Sequence, residues 1–145
     1  MIIISPYSQK LSNGKTNPKN YPFWKELIPL IDDPIVQIGI EGEEQLVPDF
    51  RKNMPIQALC GLLHTCRTWI SCDSFFQHLA WHEGVPGIVL WSVSDPLIFG
   101  HPENINLLKS RDHLVPNQFL TWDHTEYKSE RFVSPDVVVK HLREF

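Results

Sequence analysis

No glycine-rich phosphate loop is present. Neither GxGxxG nor GxxxxGK followed by Ser or Thr occurs, so neither a nicotinamide site nor an ATPase site is signalled. The three cysteines, Cys60, Cys66 and Cys72, form no CxxC pair. Their odd number and apolar surroundings point to free thiols in a reducing, cytosolic setting. A zinc reading of Cys60, His64, Cys66 and Cys72 is disfavoured, because a closed zinc site needs four well-placed ligands and these lie on an apolar stripe. No metal and no cofactor is expected. No run approaches the ~20 apolar residues of a membrane span. The opening Met1-Ile2-Ile3-Ile4-Ser5-Pro6 is too short for a signal segment and has no basic leader, so it reads as a first strand. Positive charge is also short. Thirteen Lys and Arg against 17 Asp and Glu leave a net charge of −4, which argues against a nucleic-acid partner. There is no repeat, no low-complexity tract and no linker.

What remains is globular. The 145 residues suit one domain, residues 1–145, with 42% hydrophobic and 21% charged residues. A chain of this size buries roughly 68–70% of its unfolded surface, enough for a core without staples. Five Trp and eight Phe are many for the length, and some should line a pocket or an interface. Trp81, Trp91 and Phe99 are the candidates for a self-interface.

The chain is organised around Thr68 to Pro96. Thr68 to Ser71 is an apolar, β-branched and aromatic run that Cys72-Asp73-Ser74 breaks. Phe75 to Glu83 then carries Phe76, Leu79 and Ala80 at helical spacing. Gly84 and Pro86 end that helix, and Gly87 to Trp91 is a second apolar strand. A strand–helix–strand unit of this length builds parallel neighbours in a buried sheet.

The rest of the chain follows the same alternation. Ile2 to Ser5 is a strand, and Pro6 to Asn20 a polar loop carrying Lys10, Lys15 and Lys19, with a turn at Asn13-Gly14. Phe23 to Ile31 is an amphipathic helix whose last turn Pro29 should end or kink. Ile35 to Ile40 is a strand, and Gln45 to Phe50 a short third one. Asn53 should cap a helix with Pro55 in its first turn and a stripe of Ile56, Leu59, Leu63 and Cys66. Ile105 to Leu108 reads as the last strand, and Ser134-Pro135 opens a final helix with Val138, Leu142 and Phe145 facing inward. Lys109 to Arg131 carries no motif. The pattern predicts an α/β fold, a single Rossmann-like parallel sheet with helices on both faces.

The chemistry concentrates at Asp73-Ser74. That turn sits at the carboxyl end of a strand and at a helix N-terminus, where open α/β sheets bind ligands. Free amides of a first helical turn accept a phosphate or diphosphate, and Ser74 Oγ could add a hydrogen bond. The plainer reading is that Asp73 only caps the helix. His78, one turn on, could reach the same ligand or be a core histidine. Glu41, Glu43 and Glu44 follow the second strand, where dinucleotide folds place a ribose-binding acid; a solvated acidic turn is the alternative.

The residues Asp73-Ser74-Phe75-Phe76-Gln77-His78-Leu79-Ala80, Gly84-Val85-Pro86, Ile88 to Trp91 and Asp95-Pro96 resemble a family pattern. It is that of the heptosyltransferase-type glycosyltransferases, family 9: Asp-Thr-Gly-x-x-His-Leu-Ala, Gly-x-Pro, an apolar strand and a closing Asp-Pro. Ile3-Ile4-Ser5-Pro6 resembles the first strand of the C-terminal half of that family. Asn17-Pro18-Lys19-Asn20-Tyr21-Pro22-Phe23-Trp24 resembles its Lys-x-Trp-Pro entry to the first helix. The likeness covers most of Ile2 to Gly100.

The resemblance implies a domain that binds a nucleotide-diphospho-sugar, an ADP-sugar in the best-known members. It implies diphosphate contacts at Asp73, Ser74, Phe75, Phe76 and His78, with Lys19 as counter-charge. It makes Glu41 or Glu43 the ribose partner and puts Ser94 and Asp95 on the sugar side. Phe75 departs from the family's Gly, where a side chain would crowd a diphosphate lying on the backbone. The family's acceptor site and base belong to its other domain, so no catalytic residue is named. The expected function is the donor half of a transferase, completed by an N-terminal-half partner or a homo-oligomer. The alternative is a non-catalytic protein that binds or sequesters a nucleotide or nucleotide-sugar.

Overall fold

The computed structural model describes residues 1–145. Six strands form one parallel sheet: β1 (Ile2–Ser5), β2 (Ile35–Gly39), β3 (Phe50–Lys52), β4 (Thr68–Cys72), β5 (Ile88–Trp91) and β6 (Ile105–Leu108). Their order is β3-β2-β1-β4-β5-β6. Every pairing is parallel, and Ile2 lies level with both Ile35 and Thr68. This is the Rossmann-like α/β arrangement the alternation predicts. The chain leaves β1 toward β2 on one side and reaches β4 on the other, so the order reverses between β1 and β4. Such a reversal opens a crevice at the carboxyl ends of the two strands.

Successive strand residues point to opposite faces, which splits the core in two. Ile2 and Ile4 of β1 join Ile70, Ile88 and Leu90 under α1 (Trp24–Leu27) and α5 (Pro135–Leu142). Ile3, Val36, Trp69, Val89 and Trp91 face α2 (Ile56–Leu63) and α3 (Phe75–His82). With both faces covered, β1, β4 and β5 are buried at every residue. That is why they read as unbroken apolar runs rather than alternating ones.

Local chemistry sets the ends of α3. Gly84 sits at φ 71°, its amide donates to the Trp81 carbonyl, and the Val85 amide donates to the Ala80 carbonyl. These two bonds close the helix and need a left-handed residue, which glycine supplies without steric cost. Trp69 then anchors the return to β5. Its Nε1 donates to the Val85 carbonyl at 2.8 Å, and a Cβ on Gly87 would overlap its indole.

Several expectations need correction. The first helix is only Trp24–Leu27, and Ile28–Leu30 is a 3₁₀ turn, tightened where Pro29 lacks an amide proton. The third strand is Phe50–Lys52, not Gln45 to Phe50. The cause is Gln37, a fully buried side chain of β2. Its amide donates to the Glu44 carbonyl at 2.8 Å and accepts from the Leu46 amide at 2.7 Å. Those backbone groups are thereby unavailable to a ladder until Asp49, whose carbonyl accepts from the Gln37 backbone N–H. Asn53 does not cap α2, whose N-cap is Pro55. Asn53 adopts φ 54° and accepts from the Glu41 amide, tying down the end of β2 instead. Ile56 faces solvent, and Leu62 takes its place in the buried face beside Leu63. Trp91 is only 1% exposed, with Nε1 donating to Asn106 Oδ1, so it cannot serve a self-interface. No helix is long and apolar enough to cross a membrane.

Candidate functional site

The crevice at the switch point holds a cavity of about 1000 Å³. Its walls come from the loop after β1, the end of β2, the mouth of α3 and the segment Thr121-Trp122-Asp123.

The mouth of α3 is open. Ser74 is its N-cap in an extended conformation, φ −152° and ψ 178°, with no capping side-chain bond. The Phe75, Phe76 and Gln77 amides donate to no protein acceptor. Ser74 Oγ is buried without a hydrogen-bond partner. Buried polar atoms are almost always paired; this is one of five such side-chain atoms that are not, and Gln77 Oε1 of the same helix is another. Unpaired N–H groups at a helix start carry partial positive charge and attract an anion. Phe75 lies on the same wall and is 61% exposed as a residue, an aromatic side chain beside the free amides.

Asp73 is not the cap. Its carboxylate accepts from Gln77 Nε2 at 2.7 Å on one oxygen, and from Ser94 Oγ at 2.7 Å on the other. Lys19 Nζ lies 2.9 Å from that second oxygen and sits over the Trp122 ring at 4.5 Å. The Asp73 carboxylate is buried and engaged on both oxygens, while Lys19 keeps 16% of its side chain exposed on the cavity wall; a buried charge held by an opposite charge and hydrogen bonds is tolerated. Ser8 bonds the same turn, its Oγ donating to the Asp73 carbonyl at 2.8 Å. Cys72 lies behind it, and burial pushes its thiol up to about 12, so it is inert as a nucleophile.

His78 lines the cavity, and its Nδ1 lies 2.8 Å from His101 Nε2. Burial, with His101 beside it, holds the imidazole below its ordinary pKa.

The two ribose candidates separate. Glu43 reaches the cavity wall; Glu41 pairs with Lys52 at 3.5 Å outside it. One Glu43 oxygen accepts from the Ile40 amide at 2.8 Å. A Cβ on Gly39 would overlap that carboxylate, so glycine at the end of β2 makes room for it. Partial burial raises the Glu43 pKa.

Ser94 and Asp95 do not line the cavity. Ser94 is fully buried and spent on Asp73. Asp95 caps α4 (Pro96–Phe99) by accepting from the Leu97 amide at 2.9 Å. Arg111 grips it with two bonds of 3.1 and 2.8 Å and holds its carboxyl below the usual range.

Three participants escaped the sequence reading: Lys10, Trp122 and His101. Lys10 lines the cavity without an ion-pair partner, unlike Lys19. It stands out in the sequence only as one of three loop lysines. Trp122 lies in the segment that carries no motif. No group of three or more His, Cys, Asp or Glu side chains is placed to hold a metal ion. All three cysteines are free.

No protein-family profile matches the chain, and no curated protein matches it in sequence. Solved structures match its fold. ADP-heptose LPS heptosyltransferase II of E. coli superposes with a TM-score of 0.67 at 17% identity, over 99% of this chain and 45% of its own. The dodecameric iron-containing heptosyltransferase TibC of E. coli, in complex with ADP-D-β-D-heptose, gives 0.69 at 15%, over 99% and 44%. E. coli heptosyltransferase WaaC with ADP gives 0.67 at 15%, over 99% and 43%. The chain therefore has the fold of slightly less than half of each of these heptosyltransferases, a six-stranded parallel α/β sheet.

Proposed function

We propose that this domain binds a nucleotide-diphospho-sugar and is the donor half of a glycosyltransferase. One observation carries the reading: the first-turn amides of α3 are free at the switch-point cavity, with the buried, unpartnered Ser74 Oγ in the same turn. A diphosphate supplies the acceptors these groups are missing. Glu43, at the end of β2, takes the ribose hydroxyls, and Phe75 offers the ligand a ring to lie against. Lys10, which lines the cavity without an ion pair, supplies the positive charge, since Lys19 is already matched by Asp73. The fold neighbours crystallised with ADP and with an ADP-heptose support an adenine nucleotide.

The chain spans less than half the length of those neighbours. Sugar transfer needs a base within hydrogen-bond reach of the acceptor hydroxyl. Asp73 and Asp95 are both committed to ion pairs, so neither serves as that base; on this reading the base and the acceptor site come from another domain, a partner chain or a second copy. The same commitment favours a second reading, a protein that binds or sequesters the nucleotide without transferring anything. In either case the domain works in the reducing cytosol, where its cysteines stay free.

A thermal-shift comparison of ADP, an ADP-sugar, AMP and adenosine tests the site. A ligand at 100 times its Kd adds about 2.7 kcal/mol of stability. The diphosphates should raise Tm and adenosine should not. Equal shifts from all four would sink the diphosphate assignment. Binding without transfer, in the presence of every candidate partner and acceptor, would favour sequestration.

A further inference from the structure

The diphosphate reading gives no role to His101. This residue follows α4, and its ring lies flat on Trp81, with centroids 4.5 Å and planes 8° apart. It meets the His78 ring edge-on at 5.0 Å, with Nε2 2.8 Å from His78 Nδ1. The other nitrogen of His78, Nε2, has no protein partner, and the ring lines the cavity. The charged groups facing His78 are Asp73 and Lys19, already paired with each other at 2.9 Å.

One proton is shared between the two facing nitrogens. If His78 donates it, its Nε2 is a bare lone pair that repels an anion. If His101 donates it, His78 carries its own proton on Nε2 and can donate to an anion. Burial and the second histidine disfavour the charged form of His78, and in the neutral ring the choice of tautomer decides what the cavity sees.

We infer that His101 is a positioning residue: it donates Nε2–H to His78 Nδ1 and so presents the His78 Nε2–H to an anionic oxygen at the mouth of α3. The inference rests on the diphosphate reading above. The stack on Trp81 fixes the plane of the His101 ring and aims its N–H. The interaction needs a ring nitrogen at position 101, or another polar group of the same reach, and not merely a flat ring.

Two variants of the full chain separate these roles. His101→Phe keeps a ring to stack on Trp81 and loses the donor. His101→Gln loses the stack and keeps an amide donor. Titration calorimetry with ADP at neutral pH should show His101→Phe weakened about three- to tenfold, the worth of one hydrogen bond, and His101→Gln restored toward wild type. The reverse order, Phe retaining affinity and Gln losing it, would assign His101 a stacking role and overturn the inference. Histidine-ring ¹⁵N spectra give a second readout. With ADP bound, His78 should carry its proton on Nε2; a proton on Nδ1 overturns the inference. If wild type binds no ADP, the diphosphate reading fails, and the same spectra on the free chain decide the tautomer alone. There, Nε2–H supports the positioning role and Nδ1–H removes it.

Discussion

Two turns at the carboxyl end of the sheet start from the same residue type and end in opposite states. After β5, Asp95 is itself the N-cap of α4 and accepts from the Leu97 amide, while Arg111 pairs with its carboxylate and Gln118 Oε1 accepts from its backbone N–H. That helix start is closed. After β4, Asp73 falls one residue earlier, before the N-cap Ser74. Lys19, Ser94 and Gln77 hold its carboxylate away from the helix, and the first amides of α3 are left free. A one-residue offset, together with the competing partners, turns a self-satisfied helix start into one whose first amides stay open. An aspartate at a strand-to-helix turn is therefore no signal of function by itself; what matters is whether its oxygens reach the amides.

The largest test of this contrast is Asp73→Ala. It leaves the partly exposed Lys19 ammonium without its partner and unties the buried Gln77 and Ser94, and two lost hydrogen bonds to a charged group, at about 1.5–3 kcal/mol each, make the expected loss about 3 kcal/mol or more. Urea denaturation measures it, and a loss below about 1 kcal/mol would show that the Asp73 network is not what holds the turn.

Next comes Ser74→Asp, which places a carboxylate at the N-cap of α3 as Asp95 stands at the N-cap of α4. The free fold should gain about 1 kcal/mol from the new cap. ADP affinity should fall by about 100-fold or more, because the amides are now occupied and a like charge faces the diphosphate. Unchanged affinity by calorimetry would place the diphosphate elsewhere.

Asp95→Ala probes the closed turn and should cost about 1–2 kcal/mol, the worth of a cap, while leaving ADP affinity alone. Its effect depends on pH with a definite sign. Arg111 depresses the folded-state pKa of Asp95. The contribution is therefore full above the unfolded carboxylate value and is lost as pH falls through the folded value. The stability gap between wild type and variant should shrink in acid; a gap that widens would contradict the Arg111 pairing.

The smallest effect belongs to His78. Its folded-state pKa lies below the ordinary value of 6.5, so the unfolded chain binds the proton more readily. Stability attributable to His78 is present above that value and declines as pH drops below it. In His78→Gln this part of the slope should vanish from the pH dependence of Tm, and an unaltered slope would assign it to another histidine.

Much of the fold is legible residue by residue. The β4–α3–β5 unit and the strand Ile105–Leu108 follow from apolar runs, helical spacing and the Gly84 stop. The failures are equally specific. Gln45 to Phe50 looks like a strand until the buried Gln37 amide is seen to take its backbone groups. Asn53 looks like a cap but serves the end of β2. In the site, the helix mouth at Ser74 was visible, because strand, polar turn and helix lie in sequence. Lys10, Trp122 and His101 are not, since each reaches its neighbours from a loop distant in the chain: Lys10 beside Gly42, Trp122 under Lys19, and His101 against α3.

The amino-acid sequence alone determined the layered α/β class and pointed to the turn at Asp73-Ser74, because both depend on local periodicity and short-range turn chemistry. Which oxygens and amides of that turn remain free was settled only by tertiary structure. Lys19 and Ser94 must be carried to Asp73 by separate loops before its carboxylate is consumed, and no local pattern records which of several buried partners a charge will find.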